Sequence, residues 1–174
     1  MLTSHLSMTT RFHGSVCAIV GALAVAFTLV GCAQPQTRIE FVTAIRASSW
    51  ARTSGAAANR PFDVVARDLD AFTRACLDVT VESSGSGSLM TGAYAYVSTF
   101  AVPRPGHAEL TVRRNPGGMG APPGGLYVFA VDVDAQGSAT VQAILYGANW
   151  GWGDVFDAVA GVMLGLRPPC PELP

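Results

Sequence analysis

Few residues in this chain could do chemistry, and their spacing narrows them further. Asp132-Val133-Asp134-Ala135-Gln136-Gly137 matches the first half of a calcium loop, D-x-D-x-[DN]-G, in which alternate oxygen ligands wrap a hard cation. Gln136 stands where a third acid is usual, and the twelfth position is Ala143, where a bidentate Glu is required. The two Asp also close an alternating run beside a turn, an ordinary place for them. No calcium or other metal site is expected. Asp154 and Asp157 are three apart at the start of a helical pattern, with Trp150 and Trp152 near enough in sequence to desolvate them. Such a pair commonly complements the positive end of the helix dipole. His107 is the one histidine after residue 13, and its position behind Pro105-Gly106 exposes it at a strand start. The chain has no GxSxG, HExxH or GK[ST], so no catalytic residue and no cofactor is assigned. Asp63, Asp68, Asp70, Asp132 and Asp134 fall on exposed faces or turns of the expected elements. No compact cluster of buried titratable groups is expected. Trp150 and Trp152 could stack on a sugar or peptide, but cover for the core edge is the expected use of large aromatics.

The cysteines say more. Val16 to Val30 is a fifteen-residue run without charge, preceded by Arg11 and His13. That is the charged and then apolar pattern of an export signal, too short for a comfortable transmembrane span. It ends in Leu29-Val30-Gly31-Cys32, a small residue followed by a thiol that can accept an acyl group. This tetrapeptide resembles the lipobox of bacterial lipoproteins. The resemblance covers residues 1–32 only, and it implies an anchor and a compartment rather than an activity. Residues 1–31 are then the signal peptide, Cys32 carries diacylglyceryl and palmitate chains, and two or three chains anchor stably at about 0.8 kcal/mol per buried CH₂. Ala33 replaces the Asp that holds many lipoproteins in the inner membrane, which favours the outer membrane, facing the periplasm.

Cys17 leaves with the signal, so the mature domain keeps Cys76 and Cys170. In an oxidising compartment they allow one pairing, closing a loop of about 95 residues for roughly 4 kcal/mol on the chain-entropy model. Two thiols without CxxC spacing and a single His do not make a zinc site.

Removing residues 1–31 from the 174 leaves 143, enough for one modest domain. Apolar residues make up 49% and charged ones 13%, with mean hydropathy +0.34, which excludes a disordered chain. All eleven basic residues are Arg. Ten of them against twelve acids give the mature chain a charge of −2 and no basic patch for nucleic acid.

Residues 32–60 read as a lipidated tether in which Ile39–Ile45 is apolar enough for a strand and Trp50 is laid back on the domain. The globular domain is expected over residues 61–174. Pro61 opens a helix with Phe62, Val65, Leu69, Phe72 and Cys76 at three- and four-residue spacing. Asp63–Arg67 and Asp70–Arg74 supply favourable pairs on its outer face. Alternation then predicts strands around Val79 and Val81, over Tyr94–Val102 and His107–Arg114, and a hairpin of Leu126–Asp134 with Ala139–Tyr146. A second helix follows over Asp154–Leu166, with Val155, Val159, Val162 and Leu166 as its stripe.

The fold class expected is α+β: a single antiparallel sheet of four to five strands with an N-terminal and a C-terminal helix packed on one face. The element order resembles helix-grip and related modules of envelope lipoproteins, among them accessory subunits of outer-membrane assembly machines. It implies a non-catalytic structural or accessory binding factor with an envelope protein partner. The alternative is a carrier of a small apolar ligand held between sheet and helices, which requires an apolar pocket beside Tyr94, Tyr96 and Phe100.

Overall fold

The computed structural model describes residues 34–82, 93–116 and 122–174. The expected signal peptide and Cys32 lie outside the described residues.

The first helix, α1 (Arg38–Ala47), occupies the stretch expected to be a strand. β-branched residues dominate Ile39–Ile45, but the start signal overrides them. The Thr37 hydroxyl accepts from the Glu40 amide, and the Glu40 carboxylate accepts from the Thr37 amide, a reciprocal capping box. Phe41, Val42 and Ile45 then fall on one buried side. After a short turn comes β1 (Arg52–Ala58), paired antiparallel to β6 (Val141–Gly147) from Arg52↔Gly147 to Ala58↔Val141. The expected tether is therefore largely part of the fold, whose compact unit runs from Pro35 to Pro174 rather than from residue 61.

The Pro61 helix forms as expected, as α2 (Phe62–Phe72), and ends in a π-helical turn, Thr73–Leu77. Its stripe Val65, Leu69, Phe72 and Cys76 enters the core. Asp70 and Arg74 pair at 2.6 Å, whereas Arg67 lies 3.7 Å from Asp68 instead of pairing with Asp63. Four further strands follow: β2 (Val79–Glu82), β3 (Ala93–Arg104), β4 (His107–Asn115) and β5 (Leu126–Ala135). Gly106, with φ +75°, makes the tight β3–β4 turn. A 3₁₀ turn at Trp150–Trp152 leads into α3 (Gly153–Met163). This helix stops before Leu166, which is 62% exposed rather than part of the stripe.

The sheet has six strands in the order β1-β6-β5-β4-β3-β2, against the four or five expected. The strand unseen in the sequence is β1. Strands β2 to β6 run as a meander, and α2 carries the chain from β1 at one edge to β2 at the other. Period-two alternation splits the sheet cleanly. Leu110, Val112, Phe129, Val131, Val133 and Leu145 join α2 and α3 in the main core. Ala130 and Tyr146 face the other way, onto Phe41, Val42 and Ile45 of α1. The two expected helices, α2 and α3, thus pack on one face, and the additional helix α1 covers the other. Among the described residues, no helix is long and apolar enough to cross a membrane.

Candidate functional site

The densest group of functional side chains lies on the α1 side of the sheet. His107 and Glu109 are two apart on β4, so they share a face, and the register sets His107 opposite Asp134 and Glu109 opposite Asp132. The His107 ring lies between carboxylates, with Nδ1 2.7 Å from Asp134 Oδ1 and Nε2 3.3 Å from Glu109 Oε1. Arg38, the first residue of α1, reaches across to this quartet. Its guanidinium donates to Asp132 and lies 3.5 Å from Glu109, while Arg104 approaches Asp134 at 3.8 Å. The side chains of Arg38 and Asp132 are each 17% exposed and that of His107 only 13%.

This changes the expected exposures. His107 is half-buried and partnered rather than exposed, and Asp132, in the expected strand, is half-buried rather than on an exposed face. A compact, half-buried cluster of titratable groups therefore does exist. Ligand-type atoms of His107, Glu109 and Asp132 lie within 4.8 Å of one another, a spacing that one divalent cation could bridge. Arg38 already places a fixed positive charge on both carboxylates, so the chain supplies its own cation. What this arrangement does is fasten α1 to the sheet.

A second polar cluster ties the helices of the other face together. Arg60 donates to the carbonyls of Val162 and Met163 at 3.0 and 3.1 Å, closing the end of α3, and to Asp68 of α2 at 2.6 Å. Beside it stands the cysteine pair expected from the sequence. Cys76 and Cys170 are joined, with Cα atoms 5.0 Å apart and a sequence separation of 94.

The aromatic residues divide by location. Trp152 is 1% exposed, stacks on Phe129 and meets Tyr96 edge-on, so it covers the core edge as expected. Trp150 and Trp50 are 66% and 79% exposed; neither is packed back on the domain. Asp154 and Asp157 are exposed at the start of α3, beside a groove of about 380 Å³ floored by Pro168, Pro169 and Pro171. Tyr96 is buried in the core, with Tyr94 and Phe100 packed against it. Burial pushes the Tyr96 hydroxyl above the ordinary tyrosine value; nearby Arg114 opposes this and Tyr94 adds to it.

The sequence pattern leaves Arg38 in the tether and so gives no direct sign of the charge cluster. Its indirect signals are the capping box Thr37-Arg38-Ile39-Glu40 and two i, i+2 polar pairs on adjacent strands.

No protein-family model matches the chain, and neither does any curated protein or solved structure.

Proposed function

We propose that this chain is a lipid-anchored envelope protein that works by binding another envelope protein, with Cys32 acylated and the domain facing the periplasm. The observation that carries the binding role is the filled interior between sheet and helices. Leu69, Leu77, Tyr96, Phe129, Leu145, Trp152 and Met163 are each at most 1% exposed and close the space that a carried ligand would need. The charged groups support the same reading. The half-buried carboxylates Asp132 and Glu109 are committed to Arg38, and Asp68 is committed to Arg60. Exposed apolar side chains remain for contact, Trp50 and Trp150 foremost.

Photo-crosslinking of the acylated protein in its own envelope tests this. A crosslinkable residue is placed in turn at Trp50, Trp150 and Val97. One discrete protein adduct from one surface is the expected result. Absence of any adduct, together with apolar small molecules co-purifying with the native protein, would instead establish the carrier.

A further inference from the structure

The segment after α3 has no regular structure, yet it is held at three points. Cys170 is bonded to Cys76 at the end of α2. Leu173 packs against the main core, and the Tyr96 hydroxyl donates to the carbonyl of Pro174. Pro174 also closes on Gly151, where an added Cβ would come within 3.0 Å of its ring. Around Pro168 and Pro169, ahead of the bridge, the segment is bordered by open grooves. A groove of about 510 Å³, lined by Phe72, Cys76, Val162 and Pro168 among others, runs along one side. The 380 Å³ groove over Asp154, Asp157 and Ala158 runs along the other. Pro168, Pro169, Pro171 and Pro174 have no amide hydrogen to donate, so the chain here can join no helix or ladder. Its attachment to the domain depends on the bridge and on the seat of its last two residues.

We infer that Pro168–Pro174 is a strap locked by the Cys76–Cys170 disulfide, and that reduction of this bond releases it and uncovers apolar surface along α2, α3 and the edge of the core. This inference rests on the bridge and the packing, not on the lipid anchor or the binding partner. The chemistry needs a dithiol as reductant. Cys170 is exposed and Cys76 nearly buried, so a dithiol thiolate attacks Cys170 Sγ and Cys76 leaves as thiolate. The second thiol of the reductant then displaces Cys170 and closes the reductant's own disulfide. Two electrons pass to the protein, and its two sulfurs take up two protons.

Backbone NMR relaxation and amide exchange of the purified full-length protein, with and without dithiothreitol, read this directly. On reduction, the 15N heteronuclear NOEs of Arg167, Cys170, Glu172 and Leu173 should fall to those of a mobile segment, while amide exchange in β4 to β6 changes less than twofold. Binding of the apolar dye 8-anilinonaphthalene-1-sulfonate should rise in parallel. If the sheet loses protection as the strap becomes mobile, the bridge is a staple for the whole domain and the inference is overturned. A strap that stays rigid after reduction overturns it equally. A second measurement leaves the bond intact. Leu173→Ser in the oxidised protein should free positions 172 and 173 alone and still raise dye binding; unchanged dye binding would mean that no apolar seat is vacated, and would overturn the inference.

Discussion

Arg38 and Asp132 stand 94 residues apart in the chain and are bonded in the fold, the guanidinium at the start of α1 closing on a carboxylate of β5. The bond crosses from helix to sheet on the face opposite α2 and α3, and it holds a helix whose apolar contact is small. Phe41, Val42 and Ile45 meet little more than Ala130, Tyr127 and Tyr146. Both partners are largely shielded from water, so removing one strands the other at a cost greater than the pair's own net value.

Arg38→Met should therefore destabilise the domain by roughly 1–3 kcal/mol, the cost of leaving a buried charged group without its partner. Arg38→Lys should fall between, since an ammonium keeps the charge but loses the fork that reaches both Asp132 and Glu109. Urea unfolding gives the magnitude, and amide exchange over Arg38–Ala47 should accelerate in the Met variant. Unchanged exchange there would show that Phe41, Val42 and Ile45 hold α1 unaided.

The two tryptophans of the Trp150–Trp152 turn should behave oppositely. Trp152 is 1% exposed against Phe129 and Tyr96, so Trp152→Ala should cost about 3–5 kcal/mol through the cavity it leaves. Trp150→Ala, at a position 66% exposed, should stay within about 0.5 kcal/mol of the parent. Equal losses in urea titrations would mean that Trp150 is packed against something in solution.

These pairs also show what the sequence made legible. The stripe Val65, Leu69, Phe72 and Cys76 and the alternation of Phe129, Val131 and Val133 are period signals strong enough to fix an element and its buried face without tertiary context, although a register shift beside Val112 turns Tyr127 to the α1 side. Cys76 and Cys170 could be paired because no other pairing was open to them. The edge strand β1 is not legible, because in Arg52-Thr53-Ser54-Gly55-Ala56-Ala57-Ala58 only Thr53 is branched and the rest of the run after it is small. Its place comes from backbone pairing to β6, a long-range contact that no local pattern encodes. α1 was misread for the opposite reason. Its branched residues favour a strand, and the capping box at Thr37 and Glu40 outweighs them. With α1 misplaced, Arg38 could not be brought to the Glu109–Asp132 pair, and the charge cluster went unseen.

Tyr96 should give the domain an alkaline weakness. Burial holds its hydroxyl above the ordinary tyrosine value, so the folded state keeps the proton that the unfolded chain gives up at about pH 10. Stability contributed by the neutral phenol is therefore complete below that pH. It falls as the pH rises through the unfolded value, until the folded hydroxyl ionises too. Tyr96→Phe should flatten this part of the pH dependence relative to the parent, and at neutral pH it should lose about 1 kcal/mol with the bond to Pro174. Urea midpoints of both proteins between pH 8 and about 11 provide the check.

The anchor is testable apart from all of this. If Leu29-Val30-Gly31-Cys32 is processed as a lipobox, the Cys32 sulfur is both the acyl acceptor and the new terminus, and Cys32→Ser should lose both roles together. The variant should incorporate no labelled palmitate and keep the mass of the uncleaved precursor, while the parent carries label and sheds residues 1–31. Anchoring should differ in strength as well. Two or three acyl chains at about 0.8 kcal/mol per buried CH₂ resist a salt wash, because the attachment owes nothing to charge. The folded unit from Pro35 to Pro174 contains both apolar cores in full, so the variant's domain should still unfold at the parent's urea midpoint. A Cys32→Ser protein that is labelled and trimmed like the parent would remove the lipoprotein reading, and with it the placement in the envelope.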